Sequence, residues 1–543
     1  EIYNKIKNRG PDKSIYFDIS DIKLNNQTIP IKLGFHRLSI MDTTFNGDQP
    51  FFLELNNRKL VLLCNGEIYN FKKLKEKYNF NFKSNSDCEV ILHLYAQGGI
   101  DLVLSELIGE FAFVILDAEE NKPVKLYLSR DQLGVRPLFY CYSKSNFGFC
   151  SAVGGLIHEK NQINNNITPL KPGSYCKVTI DEKLNFTIEN QEYYDFNFQV
   201  NLNNNNLETI KENVRKLFTQ VVEERMISDR PLGALLSGGL DSSLVCSIAA
   251  RYLKKKNKKL YTFSIGIPGS TDKEYAEMVA NHIGSIHKHI EFTNEDFLNA
   301  LKSTIKCTET YDITTVRAST GQYLVSKWIS ENTDIKVLLI GDGSDELCSG
   351  YMYFHNAPTP FDSHLENIKL LKEIYLYDVL RADRGIASNG LEARVPFLDY
   401  RFVNYYMSIH PKLRVPTDGI EKWLLRESFN VHEYLPFEIL FRKKEAFSDG
   451  VSGEDESWFT IIQNKMNNEI NDTDYKELLK KYNHCKPTSK EALYYRLVFE
   501  EYFGDKQVQN VIPQYWLPNW CGDIKEPSAR VLDVYNKDKV VEE

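Results

Sequence analysis

The sequence lacks the features that mark several large classes of protein. Its ten cysteines stand singly, without a CxxC pair or a paired Cys/His spacing, so neither a zinc site nor a disulfide framework is expected. No apolar run approaches the ~18 residues of a membrane span, and no secretory signal opens the chain. The formal net charge of −8 disfavours a nucleic-acid surface. We therefore expect a cytoplasmic protein with reduced thiols and with neither nucleic-acid nor membrane partners.

Residue patterning divides the 543 residues into four parts. Residues 1–195 are predicted to be rich in β-structure, with a hairpin at 110–131 and a helix from about Cys88 to Gln97. That helix carries a capping-box pattern, Ser86-x-x-Glu89, at its start. Asparagine-rich residues 196–208 are interpreted as a linker. Alternating strands and helices in 209–510 predict an α/β domain with a parallel sheet, followed by a C-terminal extension at 511–543.

Two glycine loops follow apolar strands in the second domain. The first lies in LGALLSGGLDSSLVCSIA (232–249), and the second is GDGSDE (341–346). Glycines let a backbone approach an anion at a helix N-terminus, and the first loop lacks the Gly-Lys-Ser/Thr ending of a Walker A motif. Asp241, Asp342 and Asp345 would reach neighbouring strand ends, where Mg²⁺ and a pyrophosphate could be held together. The plain alternative is two ordinary strand-to-helix turns.

The motifs taken together resemble one enzyme family. SGGLDSS (237–243) is the signature of pyrophosphate-loop ATP enzymes, which adenylate a carboxyl or carbonyl group. ETYDITTVRAST (309–320), GLEARVPFLD (390–399) and RKKEAFSDGV (442–451) resemble glutamine-hydrolysing asparagine synthetases. So do RGPD (9–12), HRLSIMD, NGEIYN and SDCEVILHLY in the first domain, and the tail WLPNWCGDIKEPSARVL is similar to the eukaryotic form. The resemblance extends in order from about residue 9 to residue 533.

The resemblance implies both a fold and an activity. The implied fold is an α+β N-terminal-nucleophile glutaminase domain of stacked antiparallel sheets, followed by an α/β pyrophosphate-loop synthetase domain with a parallel sheet. The implied reaction converts L-aspartate to asparagine through β-aspartyl-AMP, with release of AMP and pyrophosphate. ATP and Mg²⁺ take part, L-glutamine or ammonia supplies the nitrogen, and the assembly is a homodimer. A β-lactam-synthetase-like enzyme and a catalytically silent nucleotide or amino-acid sensor are the alternatives.

Nine residues of the first domain match the family's glutamine site. By resemblance Arg37 pairs with the α-carboxylate of glutamine, while Asn65 and Gly66 form the oxyanion hole. Glu67 and Asp87 hold the α-amino group. Leu38, Ser39, Ile40 and Met41 correspond to the wall of the family's glutamine pocket. The same residues also have purely structural explanations: an Asn-Gly turn at Asn65 and Gly66, a helix cap at Asp87 and a surface charge at Arg37.

A second set of residues matches the family's synthetase site. Its ATP-binding positions are Leu235, Ser237, Gly238, Gly239, Asp241, Ser242, Ser243, Ile265, Ile340 and Gly341. Asp241 and Asp345 are the expected magnesium ligands, Lys444 neutralises phosphate charge, and Arg317 is a weaker phosphate candidate. Asp399 is expected near the substrate amine. Asp342 stands where the family has glutamate, and its reach is one methylene shorter, which predicts an altered rate.

The start of the chain departs from the family pattern. The family places a cysteine nucleophile roughly twenty residues before the RGPD motif, whereas residue 1 here is glutamate and RGPD begins at residue 9. Two interpretations follow: a fragment of a complete enzyme, or a processed chain without glutaminase activity. The missing methionine and the intact pocket residues favour the fragment. Cys64 adjoins the oxyanion motif but is interpreted as a strand residue.

Overall fold

The computed structural model of the protein describes most of the chain. The described residues are 2–20, 22–24, 27–120, 122–143, 146–157, 166–181, 183, 185–202, 206–431, 434–444, 450–453, 457–504 and 508–521. Most of the predicted C-terminal extension therefore lies outside the described residues. Nowhere in the described ranges does a helix have both the length and the apolar character needed to cross a membrane.

The first domain consists mainly of antiparallel strands. They are β1 (Lys13–Ile19), β2 (Lys23–Leu24), β3 (Gln27–Thr28), β4 (Ile31–Arg37), β5 (Phe51–Leu55), β6 (Arg58–Ile68), β7 (Gly109–Glu119), β8 (Val124–Arg130), β9 (Phe139–Tyr142), β10 (Phe147–Cys150), β11 (Thr168–Pro169), β12 (Ser174–Ile180) and β13 (Phe186–Glu192). The helices are α1 (Phe71–Tyr78) and α2 (Glu89–Glu106), with 3₁₀ turns at Ile2–Arg9, Phe45–Gly47 and Val153–Gly155.

A six-stranded sheet is the central layer of this domain. Its order is β13-β12-β8-β7-β6-β5, and smaller sheets pair β1 with β4, β2 with β3, and β9 with β10 and β11. Side chains alternate across the sheet with period two. Leu60 and Leu62 pack in the core beside α1 and α2, whereas Val61 and Leu63 pack in the core shared with the smaller sheets. The predicted stacking of antiparallel strands is confirmed.

Local predictions in this domain have mixed outcomes. The hairpin at 110–131 is confirmed, because β7 and β8 pair antiparallel with Asp117 opposite Lys125. The capping box is wrong. Helix α2 begins at Glu89 and has no side-chain cap, and the Glu89 carboxylate instead accepts from the backbone N–H groups of Lys83 and Ser84, both at 2.8 Å. The carboxylate therefore orders the preceding loop, and the helix extends to Glu106 across a kink at Gly99.

The second domain contains the predicted parallel sheet. Its strands are β14 (Leu232–Leu235), β15 (Tyr261–Gly266), β16 (Ile286–Glu291), β17 (Val337–Leu339) and β18 (Glu392–Arg394). The order is β16-β15-β14-β17-β18, and every neighbouring pair is parallel. The chain adds strands on one side of β14 and then on the other. The resulting switch point lies between β14 and β17, where ligands bind in sheets of this kind.

Helices surround this sheet and form most of the remaining chain. They are α3 (Leu207–Glu224), α4 (Leu240–Lys254), α5 (Asp272–Ile283), α6 (Asn294–Thr308), α7 (Ile313–Asn332), α8 (Ser344–Leu347), α9 (Pro360–Glu373), α10 (Asp378–Ala387), α11 (Tyr400–Ser408), α12 (Trp423–Phe429), α13 (Phe437–Leu440), α14 (Trp458–Glu469), α15 (Asp472–Leu478) and α16 (Lys490–Phe503). Short 3₁₀ turns lie at Met352–Asn356, Ile374–Leu376, Pro396–Leu398, Pro411–Leu413 and Leu479–Lys481. Helix α3 begins inside the predicted linker, because the Asn206 side chain caps it by accepting from the Thr209 N–H.

The two domains share a buried boundary. Val135 and Phe139 of the first domain belong to the same apolar core as the second domain's sheet and helices. Charged groups are buried beside this core. Glu110 on β7 contacts Arg225 at 2.9 Å, and Arg225 also contacts Asp399 at 3.0 Å. All three side chains are at most 2% exposed. Desolvated charges of this kind are tolerated only while each has its partner.

We predict that Arg225→Met destabilises the protein by about 3–5 kcal/mol, because it leaves the Glu110 and Asp399 carboxylates buried without this cation. Urea unfolding followed by tryptophan fluorescence measures the change. Lys255→Met is the matched control, since its ion pair with Glu223 is at a similar distance, 3.0 Å, but is largely exposed. The control should change stability by less than about 1 kcal/mol. Equal effects of the two substitutions would contradict a supporting role for the buried network.

Candidate functional site

A cavity of about 260 Å³ opens at the carboxyl ends of β14, β15 and β17. Leu235, Ile265 and Ile340 form part of its apolar wall at these strand ends. Its polar wall includes both glycine loops and several cationic side chains. The cavity therefore lies at the switch point of the parallel sheet, as the strand order predicts.

The first glycine loop presents the start of helix α4 to this cavity. Gly239 is the N-cap and supplies no side-chain cap, so N–H groups of the first turn are available to a ligand. The hydroxyls of Ser237 and Ser242 lie 3.0 Å apart and order the loop. A Cβ atom at Gly341 would lie 2.7 Å from the Ser242 nitrogen and 2.9 Å from the Asp241 carbonyl carbon. The two loops therefore touch through their backbones, which glycine permits.

A lysine joins the carboxylates of the two loops. Lys422 Nζ lies 2.5 Å from Asp241 Oδ2 and 2.6 Å from Asp345 Oδ1. Lys444 Nζ contacts the other oxygen of Asp345 at 2.6 Å. Burial would raise the pKa of Asp345, but Lys422 and Lys444 hold it well below its usual range. The Lys422 side chain is only 1% exposed, and the two carboxylates raise its pKa. Asp345 and Lys422 are therefore both charged at neutral pH. Together with Asp241 and Lys444 they form the carboxylate–lysine cluster.

Asp342 lies in a second group of charges on the cavity wall. Arg381 on α10 contacts Asp342 Oδ1 at 2.5 Å, and also contacts Asp378 at 2.5 Å. The Gln322 amide donates to Asp342 at 3.3 Å. Burial raises the pKa of Asp342, although Arg381 opposes the rise. The Asp342 carboxyl is therefore held in one orientation and is easier to protonate than an exposed aspartate.

A second, smaller cavity of about 140 Å³ lies mainly in the first domain, and Asp383, Ala387, Leu391 and Glu392 of the second domain form part of its wall. It is lined by eight of the nine predicted glutamine-site residues, namely Arg37, Leu38, Ile40, Met41, Asn65, Gly66, Glu67 and Asp87. Asn65 and Gly66 lie within strand β6 and not in a turn. The buried Asn65 amide nitrogen and Glu67 Oε1 have no hydrogen-bond partner among the described residues. The residues lining the cavity thus include unused buried donors, on Asn65 and on Arg136 Nε, and an unused buried acceptor on Glu67.

The acidic and basic residues of this cavity have distinct environments. Burial raises the pKa of Asp87 to about 6, although its carboxylate accepts from the Ile68 N–H at 2.6 Å. Arg37 is buried, so it is not a surface charge. Its guanidinium donates to Asp48 Oδ1 at 2.8 Å and to the Thr44 carbonyl at 2.7 Å, and it also contacts the carbonyls of Met41 and Asp42. Arg37 therefore orders the loop that forms the cavity wall.

Comparison with known proteins assigns both parts of the chain. A family profile described as asparagine synthase matches residues 213–369 and 362–520, and one described as a glutamine amidotransferase domain matches residues 1–193. Asparagine synthetase [glutamine-hydrolyzing] of Gallus gallus is 43% identical over 550 residues, covering 98% of this chain and 95% of that protein. The chain belongs to the glutamine-hydrolysing asparagine synthetase family. Enzymes of the same name from Rattus norvegicus and Homo sapiens are each 42% identical at the same coverage.

Most of the residues predicted for the synthetase site line the larger cavity. They are Leu235, Ser237, Gly239, Asp241, Ser242, Ile265, Arg317, Ile340, Gly341, Asp342, Asp345 and Lys444. Arg317 is held in an ion pair with Glu491, at 2.8 and 2.5 Å, which orients its guanidinium on the wall. The fold thus brings together the two glycine loops, which carry Asp241 and Asp345 and lie far apart in the sequence.

Four predicted residues line neither cavity, namely Gly238, Ser243, Ser39 and Asp399. A Cβ atom at Gly238 would lie 2.5 Å from the Ala276 nitrogen, so this glycine admits the backbone of α5. Ser243 is fully buried within α4. The backbone N–H of Ser39 donates to the Asp12 carboxylate at 2.9 Å. Gly238 and Ser39 therefore lie in loops that carry neighbouring wall residues, whereas Ser243 belongs to the helix interior.

The prediction for Asp399 needs correction. Its carboxylate caps helix α11 by accepting from the Arg401 N–H, and it pairs with Arg225 at the domain boundary. It lines neither cavity. The sequence motif around it suggested a substrate contact, but the buried arginines nearby bind it instead.

Sequence reasoning missed several polar residues of the synthetase cavity, among them Lys422, Arg381 and Gln322. Lys422 precedes helix α12 in a segment without a motif, and only the fold brings its amine to Asp241 and Asp345. Arg381 follows Asp378 at the i,i+3 spacing of a helical ion pair, which was the one available signal. Gln322 lies on α7 and offered none.

The carboxylate–lysine cluster provides a test of whether the residues fit Mg²⁺. Asp241 and Asp345 supply hard oxygen ligands from facing loops, as Mg²⁺ prefers, and phosphate oxygens and water complete such sites. No group of three or more His, Cys, Asp or Glu side chains that could hold a metal occurs in the described part of the chain. The pair therefore fits a site that exists only together with a phosphate ligand.

We predict that Gly341→Ala destabilises the protein by about 1–3 kcal/mol, because its Cβ atom would overlap the backbone of the first glycine loop. Because the added methyl group would push the two glycine loops apart, the affinity for nucleotide should also fall, and calorimetry measures this change. Gly385→Ala is the matched control. Gly385 lies inside helix α10, and the nearest atom that its Cβ would meet is Gln322 Cβ on α7, at 3.9 Å. Alanine there should therefore be neutral or stabilising by up to about 1 kcal/mol. Unchanged stability and nucleotide affinity in Gly341→Ala would show that the loops are not in contact.

Proposed function

We propose that this chain converts L-aspartate to asparagine at the expense of ATP, with nitrogen supplied by glutamine. The single observation that carries the proposal is the carboxylate–lysine cluster at the open start of helix α4, where the two glycine loops touch. That arrangement suits a bound pyrophosphate, since backbone N–H groups, lysines and a cation site converge on one point. The family relatives bear the name of this reaction.

The proposed first step forms β-aspartyl-AMP. The β-carboxylate of aspartate attacks the α-phosphorus of ATP, and pyrophosphate leaves. Asp241 and Asp345 would hold Mg²⁺, which stabilises negative charge on the departing pyrophosphate when it is bound. Lys422 and Lys444 orient these carboxylates and add positive charge at the same place. Leu235, Ile265 and Ile340 offer an apolar wall to the adenosine.

The proposed second step is attack of ammonia on the acyl adenylate. Asp342 occupies the position of the family glutamate and is held by Arg381 and Gln322. Burial makes its carboxyl easier to protonate, which suits a group that accepts a proton from the incoming nitrogen. Its shorter reach should lower the rate relative to a glutamate at the same place.

The proposed source of ammonia is the cavity of the first domain. The free amide of Asn65 and the N–H of Gly66 suit an oxyanion, and Glu67 and Asp87 suit the α-ammonium group of glutamine. A Cβ atom at Gly66 would lie 2.1 Å from the Glu110 carbonyl oxygen, so glycine permits strands β6 and β7 to meet here. Homodimeric assembly and a cytoplasmic location stay predictions from the resemblance and the sequence.

We predict that Asp241→Asn lowers aspartate-dependent pyrophosphate release by at least about 100-fold, because one carboxylate of the proposed Mg²⁺ site is lost. Asp334→Asn is the control, since Asp334 is exposed in the connection before β17. The same assay with a carboxyethyl-arginine-type substrate distinguishes a β-lactam-synthetase-like activity. Release that depends on that substrate and not on aspartate, or near-normal release from Asp241→Asn, would contradict the proposal.

We predict that Asp342→Ala lowers asparagine formation from ammonium salts by about 100-fold or more, because the positioned proton acceptor is lost. Asp342→Glu should preserve or raise the rate by restoring the family's reach. Asp342→Asn keeps the side-chain volume but removes the ionisable group, so it distinguishes the loss of the carboxylate from the loss of packing. It should resemble Asp342→Ala. Full activity of the alanine variant would identify Asp342 as a plain loop residue. Chromatography of the asparagine formed measures the rate of the wild type and of the three variants.

A further inference from the structure

The cavity of the first domain is completed by a residue of the second. Arg394 on β18 brings Nη2 to 3.2 Å from Glu67 Oε2, across the domain boundary. The two side chains are 0% and 2% exposed, so water cannot replace the contact. The other oxygen of Glu67 has no partner among the described residues and lies in a side chain that lines the cavity. One oxygen of Glu67 therefore faces the charge of Arg394, in an ion pair without a hydrogen bond from Nη2, while the other oxygen is available to a ligand.

Arg394 is itself fixed by the second domain. Its Nη1 donates to the carbonyl of Arg225 at 2.7 Å and also contacts the carbonyl of Ile227. Its Nε contacts Glu392 at 2.8 Å, and its guanidinium lies 5.6 Å from the ring centre of Tyr69. A planar guanidinium held through Nη1 and Nε has little freedom to turn. It therefore fixes a positive charge beside the Glu67 carboxylate.

The charges around Glu67 show what Arg394 opposes. Burial raises the pKa of Glu67 well above its usual range, and the nearby carboxylates of Asp87 and Glu392 raise it further. The opposing cations are Arg394 and Arg136, with Arg394 the stronger of the two. Without Arg394 a larger fraction of Glu67 would be protonated. A neutral carboxyl attracts an ammonium group much less than a carboxylate does.

We propose that Arg394 is a positioning residue for glutamine, which holds a fixed positive charge against the Glu67 carboxylate and maintains it as the acceptor of the substrate's α-ammonium group. The inference rests on the proposed function, since it takes glutamine as the ligand of this cavity. It adds that the second domain supplies part of the glutamine site. The backbone of Arg394 also accepts from the N–H of Ile340, at 3.1 Å, on the wall of the nucleotide cavity.

The test is calorimetric titration of the full chain with L-glutamine from about pH 5 to about pH 8. Affinity should rise with pH, because glutamine needs the ionised carboxylates. In Arg394→Gln the rise should move to higher pH, and affinity at neutral pH should fall about tenfold for each unit by which the pKa of Glu67 increases. Arg394→Lys, which keeps the charge, should recover part of the loss. A purely structural defect would lower affinity without moving the pH profile.

Arg401→Gln is the matched control. Arg401 is another arginine of the second domain, and it contacts Asp399 and Glu224 at 2.6 Å without lining the glutamine cavity. Its loss should leave both the affinity and the pH profile within about twofold of the wild type.

A double substitution keeps the test valid if Arg394→Gln alone does not fold. Glu67→Gln with Arg394→Gln leaves neither member of the pair charged, and it is compared with Glu67→Gln alone. If Arg394 acts through Glu67, the added substitution changes glutamine affinity by less than about twofold. A further large loss in that background overturns the inference. So does wild-type affinity with an unmoved pH profile in a folded Arg394→Gln. No glutamine binding by the wild-type chain overturns the proposed glutamine site, and this inference with it.

Discussion

The buried charges at the domain boundary are the constraint on which the rest of the structure depends. Glu110 lies on the central sheet of the first domain, and Arg225 and Arg394 belong to the second, yet all three are almost completely removed from water. Each such charge is stable only beside its partner. The network therefore specifies one relative placement of the domains. It also places Glu67 against Arg394, so the geometry of one cavity depends on residues of the other domain.

The second cavity depends on close backbone approach. Parallel strands end at the same edge of the sheet, and glycine at position 341 lets the two loops touch there. Like charges on those loops would repel, but Lys422 lies between Asp241 and Asp345. The lysine therefore compensates the repulsion between the carboxylates of the two loops.

Much of the fold follows from local pattern. Alternating strands and helices predicted the parallel sheet, and the hairpin at 110–131 followed from apolar runs around a turn. Local chemistry was a poorer guide where several partners compete. The pattern at Ser86 and Glu89 satisfied a capping box, yet the Glu89 carboxylate binds the loop before the helix. Likewise, Asp399 lies in a sequence motif that predicted a substrate contact, but Arg225 and Arg401 bind its side chain instead.

By itself the sequence determined the two-domain order, the family and the cavity-lining residues that lie in contiguous motifs, because these depend on periodicity and on neighbours along the chain. Only the tertiary structure decided that Lys422 joins the two carboxylates, that Arg381 holds Asp342, and that Arg394 reaches Glu67. These contacts join residues far apart in sequence. Their strength comes from burial, and burial is a property of the packed fold and not of any local stretch.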